Sequence, residues 1–405
     1  MVIQRKVLSD EEISDKGKKN LMILDAIRKR GPLARTDVSK GTGINIVTVS
    51  NYIDSYIKQG LVIQRGLDTS TGGRRPLLVE LNSQAGYAVG IGMNVAEVIC
   101  IITDMTSKVV FKLKKNRPLE SGDKLLDYLM DVTDETIKKS NIDTSKIKGI
   151  GVGTPGIVDK EKHTVHWPRG LFSSDISVSI SVTDLFAKRF SIPALVDNDA
   201  NTAVFGEKWL TLEPNIKNLL YMYSGLGCGI MIDGKIYRGS SGCAGEFVFR
   251  PDIDYIAWIR QSHDTNVWEI DLGLTSEARK IVKNNPASLI SKLVDGNTEK
   301  VDFFTVVKAV KERDPLVLAL VDKAAVELGR RVASLVNLLN PEIVVIGGGV
   351  EGAGAYFLEA IKRTVKESAI EEATRKLKII PARLGEEAIA LGAASLVVQN
   401  IFIDA

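Results

Sequence analysis

The residues best suited to chemistry lie in "LVDNDANTAVFGE", Leu195 to Glu207, where an apolar strand runs into Asp197, Asn198 and Asp199. Carboxylates and a carboxamide at a strand end can hold the hydroxyls of a polyol, and a carboxylate there can also serve as a general base toward one. The residues after it have helix-forming character, so a second role open to Asp199 is simply to cap that helix.

Other chemistries find less support. "GVGTPG" (Gly151–Gly156) matches G-x-G-x-x-G, but Pro155 and the β-branched run behind it do not open a helix, and no acidic residue stands where a ribose contact belongs. Walker, H-E-x-x-H and C-x-x-C patterns are absent, and the three histidines (His163, His166, His263) are scattered, which argues against a structural zinc site.

The elements that must position these residues fill a chain of 405 residues, long enough for two or three cores. No uncharged apolar run reaches the roughly 18 residues of a membrane span, and "MVIQRKVLSDEEISDKGKK" is not a signal peptide. Cys100, Cys228 and Cys243 are expected to be reduced thiols of a cytoplasmic protein. Charge is uneven: residues 1–82 hold 14 Lys and Arg against 9 Asp and Glu (+5), and the remainder 39 against 41 (−2). A basic module on a near-neutral body suits a DNA-binding headpiece.

Within that module "NLMILDAIRKRG" spaces Leu21, Ile23, Leu24 and Ile27 for one helix face, and a short helix "RTDVSKGTG" (Arg35–Gly43) follows. The third helix opens at Asn45, a natural N-cap, with Val49, Ile53 and Ile57 on its inner face. Its other face presents Asn45, Thr48, Asn51, Asp54 and Ser55, groups suited to base edges and phosphates in a major groove. The stretch "LVIQRGLDTSTGGRRPLLVELN" reads as a two-stranded ribbon whose Arg74 and Arg75 would reach the DNA backbone or minor groove. Together these predict a winged helix-turn-helix domain over 1–82; a small helical cap that binds protein is the alternative.

The body begins with a three-stranded meander turning at Asn94 and at Asp104–Ser107, followed by a helix and the strand "IKGIGVGTPGIVD". The pattern then repeats: "NLLYMYSGLGCGIMIDGKIYRG" carries the hairpin signal Asp233-Gly234, and a long helix from Pro315 precedes the strand "EIVVIGGGV". An α/β body of two related lobes around a cleft is predicted.

Taken in order, "GVGTPGIVD", "DNDANTAVFGE", "SGLGCGIMIDGKIYRGSSGCAGE", "LVNLLNPEIVVIGGGV" and "LGEEAIALGAASL" resemble the ROK family of repressors, open reading frames and kinases, over about 85–400. The headpiece resembles that of its repressor branch. The resemblance implies an actin-like, two-lobed sugar-kinase fold, with lobe 1 over 83–200 joined by the C-terminal helix 386–405, and lobe 2 over 201–385. It implies a catalytic base at Asp199, with Asn198, Glu246 and Glu269 beside it as sugar contacts.

The sequence departs from the family's kinases in two places. Gly92 stands at the acid of D-x-G-G-T, and Asn94, Val95 and Ala96 at its G-G-T, so the turn that faces ATP phosphates loses its charge and its permissive glycines. The family's zinc ligands fall on Phe249, Arg260, Ser262 and Val267, none of which can serve; His263 would be a single ligand, and Phe249, Val267 and Trp268 are expected to fill the space by apolar packing. The expectation is therefore a non-enzymatic, sugar-responsive regulator of carbohydrate genes such as those for xylose. It would need no cofactor or metal, and would bind double-stranded operator DNA and a sugar effector as a homodimer or homotetramer. Alternatives are an active hexose kinase with a fused headpiece, and a constitutive DNA-binding protein whose body only dimerises.

Overall fold

The computed structural model describes residues 13–67, 77–94, 97–118, 123–162, 164–167, 178–223, 227–246, 272–348 and 354–405. The first module contains α1 (Asp15–Arg30), β1 (Leu33–Ala34), α2 (Arg35–Thr42), α3 (Ile46–Lys58), β2 (Val62–Leu67) and β3 (Leu77–Leu81), its strands ordered β1-β3-β2. The order is helix–strand–helix–helix–strand–strand. Ile23, Leu24, Ile27, Val38, Val49, Ile53 and Tyr56 close its core. The sequence shows two strands here; the third, β1, is too short to carry a periodic signal and is held by pairing Leu33 with Val79.

The body has two five-stranded sheets of identical topology. Lobe 1 runs β4 (Tyr87–Met93), β5 (Glu97–Asp104) and β6 (Val109–Asn116) as an antiparallel meander, crosses through α4 (Asp123–Ser140), and adds β7 (Ile147–Thr154) parallel to β4. A small sheet of β8 (Ile157–Asp159), β9 (Thr164–Trp167) and β10 (Val178–Ile180) and the helix α5 (Val182–Phe190) intervene before β11 (Ala194–Asn198) joins β7 in parallel. The helix α6 (Asp199–Leu210) then leads into lobe 2.

Lobe 2 repeats the pattern: β12 (Leu219–Tyr223), β13 (Gly227–Ile232) and β14 (Lys235–Ile236) form the meander. Then α7 (Leu274–Asn284), α8 (Leu289–Leu293), α9 (Phe303–Lys311) and α10 (Pro315–Leu339) precede β15 (Ile343–Gly347), which is parallel to β12. Finally α11 (Gly354–Ser368) and α12 (Glu371–Thr374) lead to β16 (Lys378–Pro381), parallel to β15. Counting strands from the start of each lobe, both sheets read third, second, first, fourth, fifth. The Asp233-Gly234 turn takes φ of 52° and 78°, the paired positive values of a type I′ hairpin.

The chain closes with α13 (Ala388–Ile403), which returns to lobe 1. By length and composition Gly385–Ile403 could cross a membrane, yet 67% of it is buried against the protein's own sheet and helices. The glycines of "VGIGM" and "GIGVGT" explain how it fits. Gly90 and Gly92 on β4 pair with Gly151 and Gly153 on β7, and all four face α13. A Cβ on Gly90 or Gly151 would collide with the carbonyl oxygens of Ala390 and Ala393. The G-x-G spacing is thus a flat seat for a helix backbone, since alternate strand residues share a face. Glu207, fully buried on α6, braces the approach to α13 by accepting from the backbone N–H of Arg383 (2.7 Å) and Leu384 (2.9 Å) and from Thr211 Oγ1 (2.6 Å).

The headpiece is fastened to this same helix. Asn20 Nδ2 donates to the carbonyls of Ile403 (3.1 Å) and Ala405 (2.6 Å), while its Oδ1 accepts from the buried Tyr56 hydroxyl (2.7 Å). One apolar cluster runs from Ile23, Ile27 and Ile53 through Val397 and Phe402 to Phe205 and Trp209, so headpiece and body share a core.

Candidate functional site

The end of β11 and the start of α6 build the site from three consecutive side chains. Asn198, not Asp199, is the N-cap: its Oδ1 accepts from the N–H groups of Ala200 (2.9 Å) and Asn201 (3.2 Å). Its Nδ2 donates to the Gly156 carbonyl (3.0 Å), which ties the cap to the turn after β7.

Asp199 is the first helical residue, half-buried, with Oδ1 accepting from the Ala200 N–H at 2.9 Å. Burial raises its carboxyl to about 6, against the opposing pull of its hydrogen bonds. Glu246 reaches the same region from lobe 2. Its segment is stitched to β13 by the Cys228 N–H donating to the Gly245 carbonyl (3.0 Å), and β13 lies against α6 at Gly229 and Ala200. Burial first, and then the Asp199 charge, raise Glu246 to about 7. Two carboxyls, one from each lobe, thus lie near neutrality, with the Asp199 charge felt at Glu246. As anions they accept hydrogen bonds from hydroxyls, and either could take a proton from one.

Asp197, one residue before the cap, plays a part that sequence reasoning missed. It is buried and ion-paired with Arg238, which follows β14 in lobe 2, and with Lys160 (3.1 Å), which follows β8. Its Oδ1 also accepts from the Asn198 N–H (2.9 Å). Burial alone would raise this carboxyl; the Arg238 and Lys160 charges overcome that and hold it well below the usual carboxylate range. Asp197 is thus a fixed anion that joins β11 of lobe 1 to Arg238 of lobe 2. The Asp-Asn-Asp cluster marked it as polar, but its partners are 37 and 41 residues away, beyond any local pattern.

The second candidate surface is α3. Asn45 caps it, exposed, with Oδ1 accepting from the Val47 N–H at 2.8 Å, and Asn51 is exposed on the outward face. Thr48 is half-buried on the flank. Asp54 is paired with Arg35 (2.6 Å), which removes it from the set of groups free to meet a partner. Glu269, Arg74, Arg75 and the positions Phe249, Arg260, Ser262, His263, Val267 and Trp268 lie outside the described residues.

The model of the ROK family matches residues 87–248 and 285–400. The chain belongs to the ROK family. It is 30% identical to a xylose repressor of Caldicellulosiruptor bescii over 388 residues, covering 94% of this chain and 95% of that one. It is 29% identical to a glucokinase of Halalkalibacterium halodurans over 294 residues, covering 69% of this chain and 85% of that protein. A crystal structure of a ROK family transcriptional regulator, a homolog of the E. coli MLC protein, superposes with a TM-score of 0.73 at 19% identity, covering 96% of this chain and 97% of that one. The two-lobed ROK sugar-kinase fold expected from the sequence is the fold observed.

The ROK frame sharpens one departure and locates another. Gly92, onto which the resemblance puts the family's kinase acid, faces α13, where a Cβ would stand 2.6 Å from the Ala390 nitrogen and 2.9 Å from the Ile389 Cβ. Any side chain there must push the helix away. Next to it, Asn94 closes the β4–β5 turn, its Oδ1 accepting from the Glu97 N–H at 2.7 Å. The interval between the two matched segments, 249–284, includes every position onto which the family's zinc ligands would fall. Among the described residues no group of His, Cys, Asp and Glu could hold a metal ion.

Proposed function

We propose that this chain is a sugar-responsive, DNA-binding transcriptional repressor, acting in the cytoplasm as a homodimer or homotetramer and without catalytic turnover. The observation that carries the reading is a split site. The carboxyls of Asp199 and Glu246, raised toward neutrality, suit hydroxyls, while Gly92, read as the seat of the kinase acid, has no room for a side chain. Phosphoryl transfer depends on charge neutralisation at the phosphates, and that half is missing. Similarity to a repressor over 94% of the chain, headpiece included, supports the same conclusion.

In this reading Asp199, Glu246, Asn198 and Glu269 bind the sugar, and xylose is the first effector to test. Asn45, Thr48 and Asn51 face the operator, with Arg74 and Arg75 on the wing. A dimer would set two α3 helices about 34 Å apart, one turn of DNA. The sugar shifts the equilibrium only by binding one lobe arrangement better than the other. Because α6 carries the sugar carboxylate at one end and the headpiece contact at the other, roughly 18 Å away, a change in lobe closure reaches α1 through one rigid helix.

Calorimetry with xylose and a panel of hexoses and amino sugars, with and without operator DNA, tests this. Binding of one sugar that weakens DNA affinity is expected; no sugar binding and unmoved DNA affinity would favour a constitutive DNA-binding protein. The glucokinase similarity keeps a kinase reading worth one assay. ATP-coupled turnover that Asp199→Asn abolishes would overturn the non-enzymatic assignment.

A further inference from the structure

The outward face of α3 carries a residue that neither the fold nor the polar contacts account for. Val49, Ile53 and Tyr56 turn inward and are fully buried. At 100° per residue the opposite stripe is Val47, Asn51, Asp54 and Lys58, and all four are exposed. Val47 is 65% exposed, and Ile46 beside it is 38% exposed. A β-branched residue in the first turn of a helix does not favour helix formation, and here neither side chain gains burial in return. Two adjacent apolar side chains at the exposed N-terminal end of a helix are a surface made for something else.

The surroundings say what fits. The flanking groups are polar: Asn45 caps the turn and Asn51 lies one turn beyond Val47. Asp54, the one acid on the stripe, is neutralised by Arg35 at 2.6 Å, so the stripe presents no free negative charge to a polyanion. Lys58 closes it with a positive one. A protein partner would prefer a wider apolar patch; a narrow apolar spot between amides on a basic module fits the floor of a major groove, where the only apolar group is the thymine methyl.

We propose that Val47, with Ile46 at its side, packs on the 5-methyl group of thymine and so makes this headpiece select a T in each half-site. The inference rests on the DNA-binding reading of the headpiece and adds the chemistry of what it reads. Asn51 would supply the amide contact next to it, as Asn does for adenine.

The test uses the full chain and a duplex selected on it from a random pool. Each thymine is replaced singly by deoxyuridine, which removes only the methyl. One position per half-site should weaken binding about fourfold, the value of one buried methyl. In Val47→Ala that position should lose its preference, while the effect of changing the neighbouring adenine stays. Because Val47 is exposed, Val47→Ala should melt like the parent protein, and a Val47→Ser variant repeats the measurement. A selected duplex in which no thymine methyl matters, or in which the methyl effect survives both variants, overturns this proposal alone. Failure to select any duplex overturns the DNA-binding reading together with it.

Discussion

Arg28 of the headpiece lies over the indole of Trp209 in the body, its guanidinium carbon 4.4 Å from the ring centroid, and donates to the Trp209 carbonyl at 2.9 Å. Asp25 holds the same guanidinium at 2.7 Å, and the Arg28 side chain is only 5% exposed. Trp209 sits near the C-terminal end of α6, the helix that begins at Asp199, and packs in turn on Phe402 of α13 (6.2 Å between ring centroids). Arg28→Ala removes a buried cation–π contact and a charge-assisted hydrogen bond, and leaves Asp25 paired with Lys29 alone (3.0 Å). A loss of about 2–3 kcal/mol is expected, read from urea unfolding followed by tryptophan fluorescence. Arg28→Lys should recover only part, because an ammonium cannot stack and hydrogen-bond at once. An unchanged midpoint for Arg28→Ala would mean the contact does not fasten the headpiece.

Restoring the missing acid should not restore an enzyme. Gly92→Ala already forces a Cβ to within 2.6 Å of the Ala390 nitrogen, and should cost about 2–3 kcal/mol through overpacking against α13. Gly92→Asp should cost more, bringing a charge into the same seam, and should show no ATP-dependent sugar phosphorylation. Thermal melts and a coupled kinase assay check both. A Gly92→Asp protein as stable as the parent would show that α13 yields easily.

How much of this was legible follows from the range over which each signal acts. The helices of the headpiece, the Asp233-Gly234 hairpin and the repeated meander are written in residues a few positions apart, and each appears where its pattern placed it. The glycines of β4 and β7 looked like a degenerate nucleotide loop, because their reason is a helix some 240 to 300 residues downstream in the chain. Trp209 and Arg28 gave no signal at all: a tryptophan near a helix end and an arginine in a basic turn are ordinary, and only the packing of α1 against α6 makes them a pair. Asp199 and Glu246 were singled out through motif, whereas Lys160 and Arg238 were not, since a salt bridge between residues some 40 positions apart leaves no periodic trace.

Asp197→Asn isolates that lobe-joining anion. Removing the carboxylate takes away the charge that Arg238 and Lys160 share, and a cost of about 3 kcal/mol is expected for a partly buried pair. The pH dependence has a definite sign. The folded carboxyl is held below its unfolded value of about 4, so its stabilisation is present above that pH and is lost as pH falls toward the folded value. Acid unfolding of the parent should therefore be steeper below pH 4 than that of Asp197→Asn; identical acid limbs would show that the charge does not hold the lobes.

Asp199 and Glu246 carry the opposite sign. Both are raised, to about 6 and about 7, above unfolded values near 4, so the folded protein binds more protons than the unfolded chain across that interval. Stability therefore falls as pH rises from about 4 to about 7, and Asp199→Asn or Glu246→Gln should flatten the decline in melting temperature. Sugar affinity runs the other way. A hydroxyl donates best to an ionised carboxylate, so binding should strengthen as pH climbs through 6 to 7, with protons released on binding. Calorimetry in buffers of different ionisation enthalpy reads that release directly. Affinity that is flat from pH 5 to 8, with no buffer dependence, would place the effector away from these two carboxyls.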